Sequence, residues 1–433
     1  MTGTRRAGPA PRARTALGGR SALDSPALRR LWLAGLVSDT GDWFLYIALP
    51  LVVLRLSGSA AGASLAFILE LAPTVVFAPV AARLADRFDR RAVMACTNIG
   101  QALALVPLLF VHSAAELPLA YVVIAVHASL AAVFEPAKNS LLPDLVDATR
   151  LVSANALMGL CQNLGRLVGG PLGGLALAFG GLSLVTAIDA ASYVLSAVLI
   201  ASLPRAAGRR PDGGRDGEGD RGAAPSGVGA ALRLPALRPV YLIVGLASVA
   251  QGMFLVLFLL FVTGPLHGSD ADVGLLRGVQ AVGAIAAGLA LGFFTRGAGP
   301  RALTAGSVLA FGLVSLITWN LPALTTTLWP YVALFALVGA PGVVMMTGIM
   351  STVQTTAAPR KLPAAFAALG MIAAVGQAAG ILLAGLAGIP GLLLPLLDLQ
   401  AGLYLAAAAV GLVWMRRSAA RTGVSRPARR CRP

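Results

Sequence analysis

The chain is divided into apolar segments, each long enough to cross a lipid bilayer as one helix, which takes about 20 residues. Twelve such segments are predicted, at residues 31–54, 61–82, 92–111, 118–138, 153–178, 182–203, 239–263, 273–295, 302–320, 329–352, 363–386 and 392–415. Of the 433 residues, 57% are hydrophobic and only 12% are charged, whereas soluble domains contain roughly 25% charged residues. These features predict an all-α integral membrane protein with twelve transmembrane helices, and they exclude a water-soluble enzyme.

The basic residues predict the topology. The formal net charge is +16, and 31 of the 34 Lys and Arg lie in alternate polar segments. These segments are residues 1–30, 83–91, 138–152, 204–238, 296–301, 360–361 and 416–433. Because Lys and Arg favour cytoplasmic loops, we expect these segments and both termini in the cytoplasm. Topology and anionic lipid then explain the basic excess, so no nucleic-acid partner is expected.

The polar segments also predict the domain organisation. Two six-helix bundles, residues 31–203 and 239–415, are joined by a cytoplasmic linker at 204–238 that is rich in Arg, Asp, Gly and Pro. Basic cytoplasmic tails, residues 1–30 and 416–433, flank the two bundles.

An internal repeat supports this division. Gly165-Arg166-x-x-Gly169 of helix five is echoed by Gly376-Gln377-x-x-Gly380 of helix eleven, at an offset of 211 residues. Asp189 and Asp398 follow similar Gly-Leu-x-Leu starts of helices six and twelve, at an offset of 209. Matched halves are typical of transporters whose binding site lies between the halves, near the middle of the membrane.

One polar loop resembles a family motif. The segment between helices two and three is Ala82-Arg83-Leu84-Ala85-Asp86-Arg87-Phe88-Asp89-Arg90-Arg91. It resembles the loop motif of the major facilitator superfamily, Gly-x-x-x-Asp-Arg/Lys-x-Gly-Arg-Arg/Lys, with Ala82 and Asp89 in place of glycines. The resemblance implies the major facilitator fold. It also implies that the loop, with Asp86, Arg87, Arg90 and Arg91, forms a conformational latch against the start of helix eleven. The alternative is a solvated, charge-rich turn.

Further segments resemble the superfamily branch that contains the enterobactin exporter and macrolide-efflux proteins. They are Phe134-Glu135-Pro136-Ala137, Leu142-Pro143-Asp144-Leu145-Val146 and Ala154-Asn155-Ala156-Leu157. Gly170-Pro171-Leu172-Gly173-Gly174 is similar to the superfamily's antiporter motif, Gly-Pro-x-x-Gly-Gly, with one residue instead of two between the proline and the glycine pair. Gly170, Pro171, Gly173 and Gly174 would let helix five bend and pack closely, although ordinary small-residue packing is the alternative. The branch implies a bacterial plasma membrane and export of siderophores, macrolides or other amphiphilic compounds.

Ionisable residues at membrane depth are candidate functional residues, because each is costly unless it is paired or hydrated. The candidates for proton coupling and the substrate cavity are Asp39, Asp42, Glu70, His127 and Arg166. The resemblance places their helices around the central cavity, where a buried acid can exchange protons near neutral pH. For the acids and the histidine, structural hydrogen bonding is the alternative. We expect Arg166 to pair with Asp189 rather than contact an anionic substrate, and Asp189 and Asp398 to be structural charges.

The coupling residues stay open at this point. Helix four lacks the arginine that many proton-driven members carry, and Asp42 lies six residues before Ala48-Leu49-Pro50, where drug antiporters have an acid seven residues before it. No cofactor, disulfide or metal site is expected, because the three cysteines show no suitable spacing.

We therefore expect a monomeric secondary transporter in the lipid bilayer that exports a small amphiphilic molecule in exchange for protons. Uptake, uniport or lysolipid flipping within the same fold is one alternative. A membrane sensor or assembly subunit that transports nothing is an alternative of another class.

Overall fold

A computed structural model describes residues 25–77, 80, 84, 87–146, 151–204, 229, 232–294, 299–358 and 361–423. As predicted, these residues are helical almost throughout. The long helices, in chain order, are α1 Pro26–Ser57, α2 Ala60–Val76, α3 Arg90–Leu105, α4 Leu117–Leu145, α5 and α6 within Leu151–Ala201, α7 Arg238–Thr263, α8 Asp270–Phe294, α9 Pro300–Asn320, α10 Leu328–Thr356, α11 Leu362–Ala384 and α12 Leu393–Gly423. Short 3₁₀ helices occupy Val106–Phe110, Ala114–Glu116, Leu321–Ala323 and Gly385–Gly388.

The helices end where the sequence has turn residues. α1 is capped by Gly58, which has a left-handed φ of 61°, and the Ser59 side chain caps α2 by accepting from the Ala61 N–H at 3.2 Å. The stretch Leu151–Ala201 is interrupted at Gly181, with φ 62° and ψ −166°. Gly181 therefore separates α5 (151–180) from α6 (182–201).

Ten helical stretches within the described residues are long and apolar enough to cross a membrane. One of them, Ser153–Ala201, contains both α5 and α6. α2 is apolar but has only 17 residues, and the predicted end of its segment lies partly outside the described residues. The chain is thus an all-helical, multi-pass membrane protein.

The repeat predicted from the sequence is visible in the packing of α5 and α11. A Cβ atom added at Gly169 of α5 would lie 2.4 Å from the carbonyl oxygen of Thr40 in α1. A Cβ atom added at Gly380 of α11 would lie 2.0 Å from the carbonyl oxygen of Val249 in α7. α5 thus packs on α1 as α11 packs on α7, in agreement with the offset of 211.

The predicted correspondence between Asp189 and Asp398 is wrong. Asp189 is fully buried in α6, whereas Asp398 is partly exposed in α12 and accepts a hydrogen bond from Asn320 Nδ2 at 2.8 Å. At the offset of 211, Asp189 corresponds to the fully buried Gln400, and the buried Tyr193 and Tyr404 also correspond. The offset of 209 is the separation of the two acids in the sequence, whereas packing determines which positions are buried.

The N-terminal half (25–204) and the C-terminal half (232–423) share a hydrophobic core at one end, here named the α1–α2 end because α1 ends and α2 begins there. That core contains residues of both halves, such as Leu49 and Phe67 with Phe254 and Ile381. Towards the opposite end, two other clusters consist of one half each, around Leu28, Leu31 and Met94 in one and around Leu237, Val240 and Val353 in the other.

Polar and backbone contacts also join the halves at the α1–α2 end. Ser64 of α2 donates to the Ile381 carbonyl of α11 at 2.9 Å, and Arg55 of α1 forms an ion pair with Asp270 of α8. A Cβ atom added at Gly174 of α5 would lie 2.3 Å from the Asp270 carbonyl oxygen, so α5 and α8 touch through their backbones. The structure is therefore closed at the α1–α2 end.

Candidate functional site

Three neighbouring cavities lie among the helices. The first, about 310 Å³, is lined by α1, α2, α3, α4 and α6, and the second, about 410 Å³, by α1, α4 and α5. The third, about 200 Å³, lies between α5 and the C-terminal helices α7–α10. Asp42 and Trp43 line both the first and the second cavity, and Asn163 and Arg166 line both the second and the third.

The five candidate residues, which were chosen for their depth along the membrane helices, all line these cavities. Glu70 and His127 line the first, Asp39 the second, Asp42 the first and second, and Arg166 the second and third. The remaining lining of the first cavity is mostly apolar, including Leu45, Leu49, Val123 and Ile124.

A chain of hydrogen bonds links Asp42 to His127 through a tyrosine. The Tyr193 hydroxyl donates to Asp42 Oδ1, and His127 Nε2 lies 2.7 Å from the same hydroxyl oxygen. Because the single hydroxyl proton points to Asp42, this arrangement requires His127 Nε2 to be the donor. Gln101 Nε2 also donates to Tyr193, at 3.1 Å. Residues of α1, α6 and α4 thus form one continuous chain of hydrogen bonds.

Asp189 lies beside this chain. One ligand atom from each of Asp42, His127 and Asp189 lies within 4.8 Å of the other two, a spacing within the described residues that could hold a metal ion. Ser192 Oγ lies 3.3 Å from Asp189 Oδ1, while Asp189 Oδ2 has no hydrogen-bond partner. A Cβ atom at Gly41 would lie 2.5 Å from Asp189 Oδ1, so glycine there lets α1 approach the acid.

Arg166 does not pair with Asp189, contrary to the expectation from the sequence. Its guanidinium lies over the Trp43 ring, 5.7 Å from the ring centroid, and its Nε atom has no hydrogen-bond partner. The ion pairs found between described residues do not include Arg166. The two charges do not meet because Asp189 packs against Gly41 of α1, whereas Arg166 lines the cavities.

Sequence reasoning missed Arg277 and Tyr193. Arg277 of α8 lines the third cavity and donates to the Tyr46 hydroxyl at 3.2 Å. Arg277 did carry a signal, because it is one of three basic residues outside the predicted cytoplasmic segments. Tyr193 carried none, because one tyrosine in an apolar helix resembles any other.

An ion pair in α4 was also missed. Lys138 is almost completely buried and pairs with Glu135, which lines the second cavity. The spacing of three residues puts both side chains on one face of the helix, and Lys138 is one of only two lysines in the chain.

The loop motif is described only in part, because Asp86 lies outside the described residues. Arg87 is exposed, while Arg90 pairs with Asp144 and Arg91 donates to the Leu203 carbonyl. Both contacts join the start of α3 to other parts of the N-terminal half. The latch against helix eleven therefore stays a prediction.

Asp89, which departs from the loop motif, has a structural role. Its Oδ1 accepts a hydrogen bond from the Arg91 N–H at 2.9 Å, so Asp89 is the N-cap of α3. Aspartate is among the best N-cap residues, whereas glycine offers no side-chain acceptor.

A two-half helical membrane protein with polar cavities near the junction of its halves has the architecture of a secondary transporter. Residues 31–381 match the sequence model of the Major Facilitator Superfamily, and the chain belongs to that superfamily. This agrees with the resemblance found in the loop motif, and it defines the class as membrane transporters and not enzymes.

Individual relatives agree with this assignment. The multidrug efflux pump Tap of Mycolicibacterium fortuitum is 27% identical over 370 residues, which cover 81% of this chain and 87% of Tap. The MFS-type transporter YfiS of Bacillus subtilis is 33% identical over 170 residues, so the match spans 39% of this chain and 40% of YfiS. A bacterial homologue of the iron transporter ferroportin, in an inward-facing state, has a similar fold, with a TM-score of 0.70 and 16% identity over 90% of this chain and 98% of that one.

Proposed function

We propose that this protein is a proton-coupled exporter of small amphiphilic molecules in a bacterial plasma membrane. The hydrogen-bonded chain Asp42–Tyr193–His127, beside a largely apolar cavity, is the observation that carries the proposal. Similarity to Tap over most of both chains supports export. Siderophores and macrolides are the substrates that the branch resemblance implies. The lipid bilayer, the substrate and protons are its partners, and it acts as a monomer.

The proposal includes the complete topology. Twelve spans form two six-helix bundles, and the α5–α6 break at Gly181 together with α2 supplies the spans beyond the ten long apolar stretches. The basic segments support a cytoplasmic location for both termini and for the linker 204–238. The closed α1–α2 end then faces outward, so the described state is open to the cytoplasm, where an exporter takes up its substrate.

The hydrogen-bonded chain suggests how a proton is held. Ionised Asp42 accepts from Tyr193, and Tyr193 accepts from His127 Nε2. When Asp42 takes up a proton, it can donate to the Tyr193 oxygen, and the tyrosine hydroxyl can then donate to His127 in the tautomer that carries its proton on Nδ1. Glu70 lines the same cavity and is a second acid for the transported proton. If the acid binds a proton in one state of the transporter and the substrate binds in the other, the cycle exchanges protons for substrate.

Asp42 is the first residue to test. Reconstituted protein is assayed for efflux of a macrolide and of a catecholate siderophore, with and without an imposed pH gradient. We expect Asp42→Asn to abolish gradient-driven export while downhill exchange persists, because the cavity keeps its shape but loses its proton site. Tyr193→Phe, which removes only the hydroxyl, and Glu70→Gln should weaken coupling less. If Asp42→Asn and Glu70→Gln both export normally against a gradient, neither acid carries the proton, and Asp39 or His127 or a uniport mechanism takes their place.

The latch has its own test. Asp86→Asn removes a charge at almost constant size, and a charge facing a helix N-terminus contributes about 0.3–1 kcal/mol. If the latch stabilises the outward-open state, transport and the accessibility of outward-facing cavity cysteines should fall, while membrane insertion is unchanged. Unchanged transport and accessibility would make Asp86 a solvated turn residue.

A further inference from the structure

The third cavity is lined by hydrogen-bond donors and contains no acid among its described lining residues. Its polar side chains are those of Asn163, Arg166, Gln251, Arg277 and Gln280. We propose that this cavity binds the negatively charged group of an amphiphilic anion, such as a sulfonate, carboxylate or phosphate. This inference rests on the proposed transport function and adds the charge of the substrate to it.

Arg277 is a buried cation that forms no ion pair among the described residues. It is only 7% exposed, and its guanidinium donates to two neutral groups, the Tyr46 hydroxyl at 3.2 Å and Gln280 Oε1 at 3.4 Å. Glu70 is near enough to interact electrostatically, but it forms no ion pair with Arg277 and lines the first cavity instead. Because buried charges are normally paired, a ligand is the natural source of the missing negative charge.

Two further donors at this cavity are unsatisfied. Arginine can only donate, so the Gln280 atom that faces Arg277 is the oxygen, and the amide nitrogen points elsewhere. That nitrogen is buried and has no partner, and Gln280 as a whole is only 5% exposed. The Nε atom of Arg166 is likewise buried without a partner. Arg166 of α5 and Arg277 and Gln280 of α8 all line this cavity, and an anion bound there can accept hydrogen bonds from such donors.

The surroundings of these donors fit an anion that carries an apolar body. The guanidinium groups of Arg166 and Arg277 lie 5.7 and 5.8 Å from the centroid of the same Trp43 ring, and Arg277 lies 4.8 Å from that of Phe254. Phe311 and Val338 complete an apolar wall. A volume of about 200 Å³ suits a charged head group. Arg166 also lines the second cavity, which has room for the apolar body of the bound anion.

Acids line the neighbouring cavity, which Arg166 also lines. Asp39, Asp42 and Glu135 line the second cavity, and none of them lines the third. The proton site and the anion site are therefore adjacent but separate, which keeps the carboxylates from occupying the place of the ligand.

Three probes with the same tail and different charge test this proposal. Hexane-1-sulfonate, hexylammonium and 1-hexanol are titrated into the purified full-length protein in nanodiscs, with calorimetry and thermal unfolding as measurements. We expect half-saturation by the sulfonate at a concentration at least tenfold lower than for the other two. Arg277→Gln should abolish this preference, Arg277→Lys should keep part of it, and Gln280→Leu should weaken sulfonate binding several-fold. Arg233→Gln, which removes a charge from an exposed turn, is the matched control and should bind like the wild type.

Equal affinity for the three probes, or an unchanged sulfonate preference in folded Arg277→Gln, would overturn the anion site. If Arg277→Gln does not fold, Arg166→Gln and Gln280→Leu decide the question by the same loss of preference. Transport assays separate this proposal from the previous one. Gradient-driven export of a cationic amphiphile without Arg277-dependent sulfonate binding removes the anion site and leaves export intact. Arg277-dependent binding without any gradient-driven export supports the site and removes the proposed coupling.

Discussion

The contact between α5 and α8 makes the effect of a single methyl group predictable. A Cβ atom at Gly174 would lie 2.3 Å from the Asp270 carbonyl oxygen. Carbon–oxygen contacts of about 3.3 Å are the usual lower range, so Gly174→Ala requires α5 and α8 to separate by about 1 Å. Backbone atoms form this contact, and neither helix can relieve the clash by turning a side chain.

The cost of this substitution falls on one conformational state. Overpacking of this kind costs about 1–3 kcal/mol, and it applies only while the α1–α2 end is closed, since the contact exists there. Such a difference shifts a two-state equilibrium about 5- to 150-fold towards the open state. Alanine also favours the helix over glycine by about 1 kcal/mol, but equally in both states, so folding should persist.

A cysteine at Ser64 can report this shift. Ser64 is 3% exposed and lies at the α1–α2 end, between α2 and α11. In a background without native cysteines, Ser64→Cys in purified protein should react with N-ethylmaleimide about 5–150 times faster when Gly174→Ala is added. Gly159→Ala in the same helix is the matched control, because a Cβ atom there meets nothing within 4 Å. Equal labelling rates for the two alanine variants, with the fold intact, would refute the reasoning.

Three further outcomes follow from the sequence and the structure. In whole cells, a cysteine at Gly213 should resist an impermeant thiol reagent while one at the exposed Thr326 reacts, and the reverse pattern would invert the topology. Asp89→Ala removes the N-cap of α3 and should lower the free energy of unfolding by about 1 kcal/mol, whereas Asp89→Ser should restore most of it; equal thermal stability of the two would exclude the cap. Asp398→Asn should change thermal unfolding little. Gln400→Leu leaves the buried Trp319 indole N–H without its acceptor and should lower the free energy of unfolding by about 1–3 kcal/mol. A larger loss of stability in Asp398→Asn than in Gln400→Leu would restore Asp398 as the structural position.

The helices could be predicted because their signals are local. An apolar run of membrane length, ended by a turn such as Ser57-Gly58-Ser59, needs no information from the rest of the chain. Depth along a helix is equally local, and it was sufficient to select Asp42 and His127. The glycines of α5 were recognised as packing residues, although the sequence did not reveal that they face two different helices.

The partners of these residues could not be predicted, because they depend on how each helix is rotated against its neighbours. Tyr193 joins Asp42 to His127 only because α6 presents that tyrosine to α1 and α4. The expected Arg166–Asp189 pair fails for the same reason, since α5 and α6 direct the two charges to different surroundings. The contact of Arg277 with Tyr46 could not be predicted either, because it joins the two halves.

The position of Arg166 connects the closure of the halves to the proposed anion site. Gly169 fastens α5 to α1 within the N-terminal half, so Arg166 and Trp43 should move together when the halves separate. Arg277 belongs to α8 and would move with the other half. The two guanidinium groups therefore share the Trp43 ring only while the α1–α2 end is closed, and the anion should bind that state more tightly. By linkage, Gly174→Ala should weaken hexane-1-sulfonate binding without touching any residue of the cavity, and the sulfonate should slow N-ethylmaleimide labelling of Ser64→Cys. Sulfonate affinity equal in Gly174→Ala and Gly159→Ala would mean that anion binding and closure are independent.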